Sequence, residues 1–105
     1  MIGEEIMYFI TCFEKVDQGR FGLDIGASRT MGYYTNFYDA SAVVRRNVCD
    51  IHERIYHYAA IEEILEGVYP TVTDRWFYKY DSEQDGYVSI EEPDEFKHYS
   101  NIALG

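Results

Sequence analysis

Bases, cysteines and long apolar runs are scarce in this chain of 105 residues, and each scarcity removes a class of function. The two cysteines, Cys12 and Cys49, are too few for the disulfide framework of a small secreted domain. Each stands among apolar neighbours, where a free thiol packs as a small hydrophobe, so both are expected to be buried and reduced. A zinc site from Cys49, His52 and His57 lacks the second close-spaced ligand pair that such sites use. No apolar stretch approaches the roughly 18 residues that span a bilayer. No basic-then-apolar signal segment opens the chain, which is therefore read as cytoplasmic. Lys and Arg number 9 against 19 Asp and Glu, a net charge of −10. Such a field repels phosphates and anionic membranes, so neither direct nucleic-acid binding nor membrane docking is expected.

The acids are not evenly spread. Residues 1–60 carry 8 acids against 6 bases, a balance of −2, and residues 61–105 carry 11 against 3, a balance of −8. The C-terminal half is thus suited to a basic protein surface. Tyrosine is the other excess, with 11 residues beside 6 Phe and 1 Trp. A core of this size does not readily hide so many rings, and tyrosine is favoured at interfaces, so some are expected on the surface.

The length suits a single domain, with residues 1–6 read as an extension or a disordered end. Met7 to Lys15 (MYFITCFEK) is apolar on both alternating faces, the pattern of a strand covered on both sides. Gly19, Gly22 and Gly26 make Asp17 to Ser28 an irregular loop, without the spacing of a phosphate cradle. Gly32 to Thr35 adds a short strand. Phe37, Ala40, Val44, Val48, Ile51 and Ile55 recur at helical steps, which predicts an amphipathic helix from Asn36, its N-cap, to about Glu53. Ile55 to Glu66 suits either strand or helix end, and strand is favoured because one helix from Asn36 to Glu66 would be unusually long. Pro70 punctuates and Thr71 to Asp74 is read as a connector. Arg75 to Tyr80 (RWFYKY) and Tyr87 to Ile90 read as strands, the second closed by Pro93. In the tail from Asp94, residues Phe96, Tyr99, Ile102 and Leu104 can pack back. The expected class is α+β: an antiparallel sheet of about four strands with one main helix on one face.

MYFITCFEK, GYYTNFYDA (Gly32 to Ala40), YAAIEEILEGVYP (Tyr58 to Pro70), RWFYKY and the ending Phe96 to Gly105 together resemble a group of small acidic proteins of anaerobic gut bacteria, nearly full length from Met7. The resemblance implies one compact domain in which YAAIEEI, RWFYKY and GYVSIEE are strands. That group has no assigned activity or catalytic residues to carry over.

One stretch reads two ways. Asp81 to Glu92 places oxygens at positions 1, 3, 5, 9 and 12 and Gly86 at position 6, the spacing of an EF-hand calcium loop. Asp81, Glu83, Asp85 and Glu92 would then be the metal ligands. The same residues read as a β-hairpin with Asp85-Gly86 in its turn, which the β-prone approach and the lack of a second loop favour. No nucleophile–base–orienter set accompanies His52, His57 or His98, so no catalysis and no cofactor are expected. His57, Cys12 and Glu63 gathered in one deep pocket would reopen an enzymatic reading. The favoured expectation is a non-catalytic domain that engages a basic protein surface through Tyr78, Tyr80, Asp81, Glu83, Asp85, Tyr87, Glu91, Glu92, Asp94 and Glu95. One version is an inhibitor whose carboxylates stand in for nucleic-acid phosphates. The chain is similar in size and charge only to the small acidic proteins of phage and mobile elements that act so, some anti-CRISPR proteins among them. Oligomeric state is left open.

Overall fold

A computed structural model describes residues 6–20, 22–65, 71–96 and 102–103. Its main sheet is antiparallel and five-stranded: β1 (Ile6–Phe13), β4 (Ser28–Tyr34), β5 (Tyr58–Leu65), β6 (Thr71–Asp81) and β7 (Gly86–Ile90) run in the order β4-β1-β5-β6-β7. The short strands β2 (Asp17–Gly19) and β3 (Gly22–Asp24) form a separate hairpin where the glycines suggested an irregular loop. Helix α1 (Phe37–Arg45) lies on one face. The class is the expected α+β; the sheet, put at about four strands, has five, the short strand expected at Gly32 to Thr35 being the end of a full edge strand, β4, and the supposed connector at Thr71–Asp74 being the first part of β6. No helix among the described residues is long and apolar enough to cross a membrane.

Alternation explains the packing. Ile10, Cys12, Ala59, Ile61, Tyr78 and Tyr87 point to the helix face and pack with Ala40 and Val44 of α1. On the other face Phe13, Ala60 and Phe77 meet Phe96, flanked by Val16, Leu23 and Ile25 around the small hairpin and by Ile102. Both faces of the central strands are therefore covered, which is why β1 and β5 lack the apolar-in, polar-out alternation of a half-exposed sheet. The placement of Tyr99 and Leu104 lies outside the described residues.

Asn36 caps α1 by accepting the N–H groups of Tyr38 at 2.7 Å and Asp39 at 3.3 Å. The helix ends at Arg45 instead of near Glu53. Asn47 follows in the left-handed region (φ 48°), a conformation asparagine tolerates just past a helix end. Ile51 still reaches the core, but Val48 and Ile55 are turned outward. Cys49 is likewise exposed, against the expectation of a buried thiol, because it no longer shares the helical stripe.

On the second face the acid Glu62 is completely buried at the centre of β5, with Arg75 opposite it on β6. Arg75 donates from Nε and Nη2 to Glu62 Oε2, each at 3.0 Å. The Ile102 N–H reaches the same oxygen at 2.8 Å, and the Ala103 N–H reaches Oε1 at 2.8 Å. The carboxylate thus exchanges water for four charge-assisted bonds, the condition on which a buried charge is tolerated. We expect Glu62→Ala to lower stability by about 3–5 kcal/mol, since it removes the buried acceptor of two guanidinium bonds and of two backbone donors. The urea midpoint measures this, and the double change Glu62→Met with Arg75→Met should cost less than the two single changes added.

Gly86 does not owe its place to a positive φ. A Cβ there would overlap the backbone carbonyl of Arg45, so glycine is what lets the end of α1 rest on the start of β7. Gly86→Ala should therefore lower stability by about 1–3 kcal/mol in the same urea titration, although the residue lies outside any left-handed turn position.

Candidate functional site

The segment after α1 carries the most unusual backbone among the described residues. Asn47, Cys49, Asp50, Glu53 and Arg54 all have positive φ, between 47° and 64°, and Asp85 in the facing hairpin turn has φ 50°. Each such residue costs about 1–3 kcal/mol and persists only where its surroundings fix it, and such residues collect at functional sites. Here Asn47 does the fixing. Its Oδ1 accepts the His52 N–H at 3.1 Å. Its Nδ2 faces Asp50 Oδ1 at 3.3 Å, His52 Nδ1 at 3.0 Å and Asp85 Oδ1 at 3.5 Å. His52 Nδ1 also lies 2.9 Å from Asp50 Oδ1. That contact requires a proton on Nδ1, whereas a bond from Asn47 requires a lone pair there, so the two alternate with the tautomer.

The elbow touches the β6–β7 hairpin through rings. The His52 ring stacks on Tyr80 with centroids 4.1 Å apart and planes 13° apart. The Tyr80 hydroxyl donates to Asp85 Oδ1 at 2.6 Å, and this bond to an anionic acceptor pushes its pKa up to about 12. Tyr80 meets Tyr87 edge-on at 5.5 Å, and the buried Tyr87 hydroxyl donates to the Tyr56 carbonyl at 2.7 Å. Burial raises the Tyr87 pKa as well. A shallow cavity of about 380 Å³ opens beside this stack, lined by His52, Arg54, His57, Tyr80 and Ser82. The strained elbow and the acidic hairpin turn are thus one rigid unit.

The candidate binding residues divide sharply. Tyr78 and Tyr87 are 1 % and 2 % exposed, so they are core rings and cannot anchor a partner. Helix α1 covers the face on which they stand, and the Tyr78 hydroxyl lies 3.5 Å from Ser41 Oγ inside that contact. Tyr80 is half-buried and pinned. Glu83, Asp85, Glu91, Glu92, Asp94 and Glu95 are exposed and Asp81 is half-buried. Asp81 serves the turn, accepting the Glu83 N–H at 2.9 Å and Gln84 Nε2 at 3.3 Å. Glu92 lies 3.8 Å from Arg75 Nη1.

The twelve positions that spell a calcium loop lie along a hairpin and not around one centre. Asp81 pairs with Gly86 across a four-residue turn, and both flanks are strands. Glu92 lies past the far end of β7, beside Arg75. Among the described residues no group of three His, Cys, Asp or Glu side chains stands where it could hold a metal ion. Nor do His57, Cys12 and Glu63 come together. Cys12 is buried, its thiol pushed up to about 12 by desolvation, while Glu63 accepts from Tyr8 at 2.9 Å and Thr73 at 2.6 Å.

Sequence reasoning passed over Asn47 and the Glu62–Arg75 pair. Each left a trace: an asparagine after two arginines is a helix-stop pattern, and Glu62 falls on a strand position whose neighbours two residues away, Ala60 and Ile64, are apolar. No family model, curated protein or solved structure matches this chain.

Asn47→Ala should destabilise by about 1–3 kcal/mol, because it removes the side-chain bonds and also places alanine in the left-handed region. Asn47→Gly frees the backbone and loses only the bonds, so its melting temperature should fall between those of wild type and Asn47→Ala.

Proposed function

We propose that this protein is a non-catalytic binding domain that engages a basic protein surface through the acidic edge formed by β7 and its flanks. The observation that carries this reading is the stretch 81–95, which holds seven carboxylates and no Lys or Arg. Six of the seven are exposed, gathered at the two ends of edge strand β7. Five residues at about 3.3 Å each put the two groups roughly 16 Å apart, a spacing that two basic clusters on a partner can match. Two of the bases elsewhere are engaged by other acids: Lys15 lies 3.6 Å from Asp17 and 3.2 Å from Asp24, and Arg29 lies 3.1 Å from Glu53. Exposed carboxylates at both ends of β7 give this edge an outward acidic field, and charge of this kind steers encounter and selects partners.

Rigidity supports the same reading. The turn bearing Asp81, Glu83 and Asp85 is held by the Tyr80–His52 stack and the Asn47 bonds, so little order is lost when a partner docks. Tyr80 is the one candidate ring at this edge with exposed surface, and it takes over the anchoring role first assigned to three tyrosines. Carboxylates standing in for phosphates on a nucleic-acid-binding enzyme are the specific form this function takes if the partner is such an enzyme.

The carboxylates of Glu83, Glu91 and Glu95 make no bond within the described structure, so Glu83→Gln/Glu91→Gln/Glu95→Gln should leave the melting temperature nearly unchanged. A partner retained by the wild-type chain in a pull-down from its native cells should be released as salt shortens the screening length from about 8 Å to about 3 Å. The triple variant should bind it at least about tenfold more weakly. A partner held equally at high salt, or equally by the triple variant, overturns the proposal.

A further inference from the structure

The two edges of the sheet are chemically opposite. β7 is flanked by acids at both ends, which blunts it against strand pairing. β4 carries a single charged side chain, Arg29, already bonded to Glu53. Around β4 lie the exposed large side chains Ile6, Tyr33, Tyr34, Tyr38 and Val48, with Tyr33 58 % and Tyr38 80 % accessible. An apolar groove of about 290 Å³ runs beside the strand, floored by Ile10, Met31, Val43 and Ile51. Among the described residues the exposed tyrosines, Tyr33, Tyr34 and Tyr38, therefore lie here, while Tyr80 on the acidic hairpin is only half-exposed.

We infer that the β4 edge pairs with the β4 edge of a second copy of this chain, antiparallel and centred on Tyr33. Three observations select this occupant. The first is charge. Two copies of net charge −10 repel, and β4 is the edge farthest from the acidic stretch, four strand spacings or about 19 Å across the sheet. That distance exceeds the screening length of about 8 Å at physiological salt, so the copies meet where repulsion is weakest.

The second is self-complementarity. Gly32 and Tyr34 stand opposite Ile10 and Tyr8, on the helix face where the groove opens. A side chain built at Gly32 would meet no described residue within 4 Å, so among the described residues the space above it is open. In a pair centred on Tyr33, the Tyr34 of each copy lies across from Gly32 of the other. Its ring then covers the bare glycine and the groove mouth, an aromatic–glycine cross-strand pairing known to stabilise sheets.

The third is register. β4 bulges at Met31, since Ile10 pairs with Gly32 and Thr11 with Thr30. A bulge interrupts edge pairing, which confines a partner strand to Gly32–Tyr34 and excludes a long promiscuous edge. The pairing joins two sheets through their neutral edges and turns both acidic edges outward. This inference stands independently of the proposed partner.

Sedimentation equilibrium up to submillimolar chain concentration should show a dimer, strengthened and not weakened by added salt. Tyr34→Lys should raise the dissociation constant at least about tenfold, with unchanged far-UV circular dichroism, while Ser89→Lys on the opposite edge should not. In a mixture of labelled and unlabelled wild-type chains, an intermolecular nuclear Overhauser effect should link the Tyr34 ring to the Gly32 α-protons. This measurement needs no variant to fold. A chain monomeric at every concentration overturns the inference, including one whose Gly32 amide responds only to an added apolar peptide. So does a dimer indifferent to Tyr34→Lys or lacking the Tyr34–Gly32 contact.

Discussion

The Glu62–Arg75 pair governs how the second face of the sheet is closed. A carboxylate without water at the centre of β5 is tolerable only if every lone pair has a donor, and two of those donors belong to Ile102 and Ala103. The polar line continues across the sheet. Thr30 on β4 donates to the Ala103 carbonyl at 3.5 Å and lies 3.3 Å from the Thr11 hydroxyl on β1, while Arg75 extends toward Glu92 beyond β7. A row of apolar side chains would cover the same area but would accept the C-terminal segment in many positions. Two directed N–H bonds accept it in one. The ion pair thus supplies orientation where hydrophobic burial, being non-directional, cannot.

On the opposite face the early end of α1 plays the comparable part. Had the helix run on to Glu53, Val48 and Ile55 would have joined the buried stripe and Cys49 would have lain inside. Asn47 instead turns the chain, and five left-handed residues within 47–54 fold it into an elbow. One side of that elbow holds His52 against Tyr80 and stiffens the acidic turn. Its other side brings Val48, Cys49 and Ile51 to the groove beside β4. A single helix stop therefore shapes both of the proposed contact surfaces.

Charge is segregated along the sheet and not mixed over the surface. The acidic stretch 81–95 lies at the β7 end, whereas among the described residues the exposed aromatic side chains collect at the β4 end. The arrangement keeps a long-range, salt-sensitive field apart from a short-range apolar surface. The two proposed contacts would each use its own edge, beyond the screening length of the other.

Local sequence determined the elements whose causes are local. The two-faced apolar pattern of β1, the Asn36 cap, the alternation of Trp76, Tyr78 and Tyr80 against Phe77 and Lys79, and the β6–β7 hairpin all follow from neighbours a few residues apart. The end of α1 was legible too, in Arg45-Arg46-Asn47, but the apolar stripe continuing through Val48, Ile51 and Ile55 carried the opposite signal. The two signals compete locally, and only packing against the sheet resolves them. Tertiary structure alone decided which rings are inside. Tyr78, Tyr80 and Tyr87 look alike along the chain, and their fates differ because α1 covers two of them and reaches only the flank of the third. Likewise nothing near Glu62 announces its partners, since Arg75 is 13 residues away and the Ala103 N–H is 41 away. A buried charge is satisfied by whatever the fold brings to it, and that is a property of the whole chain.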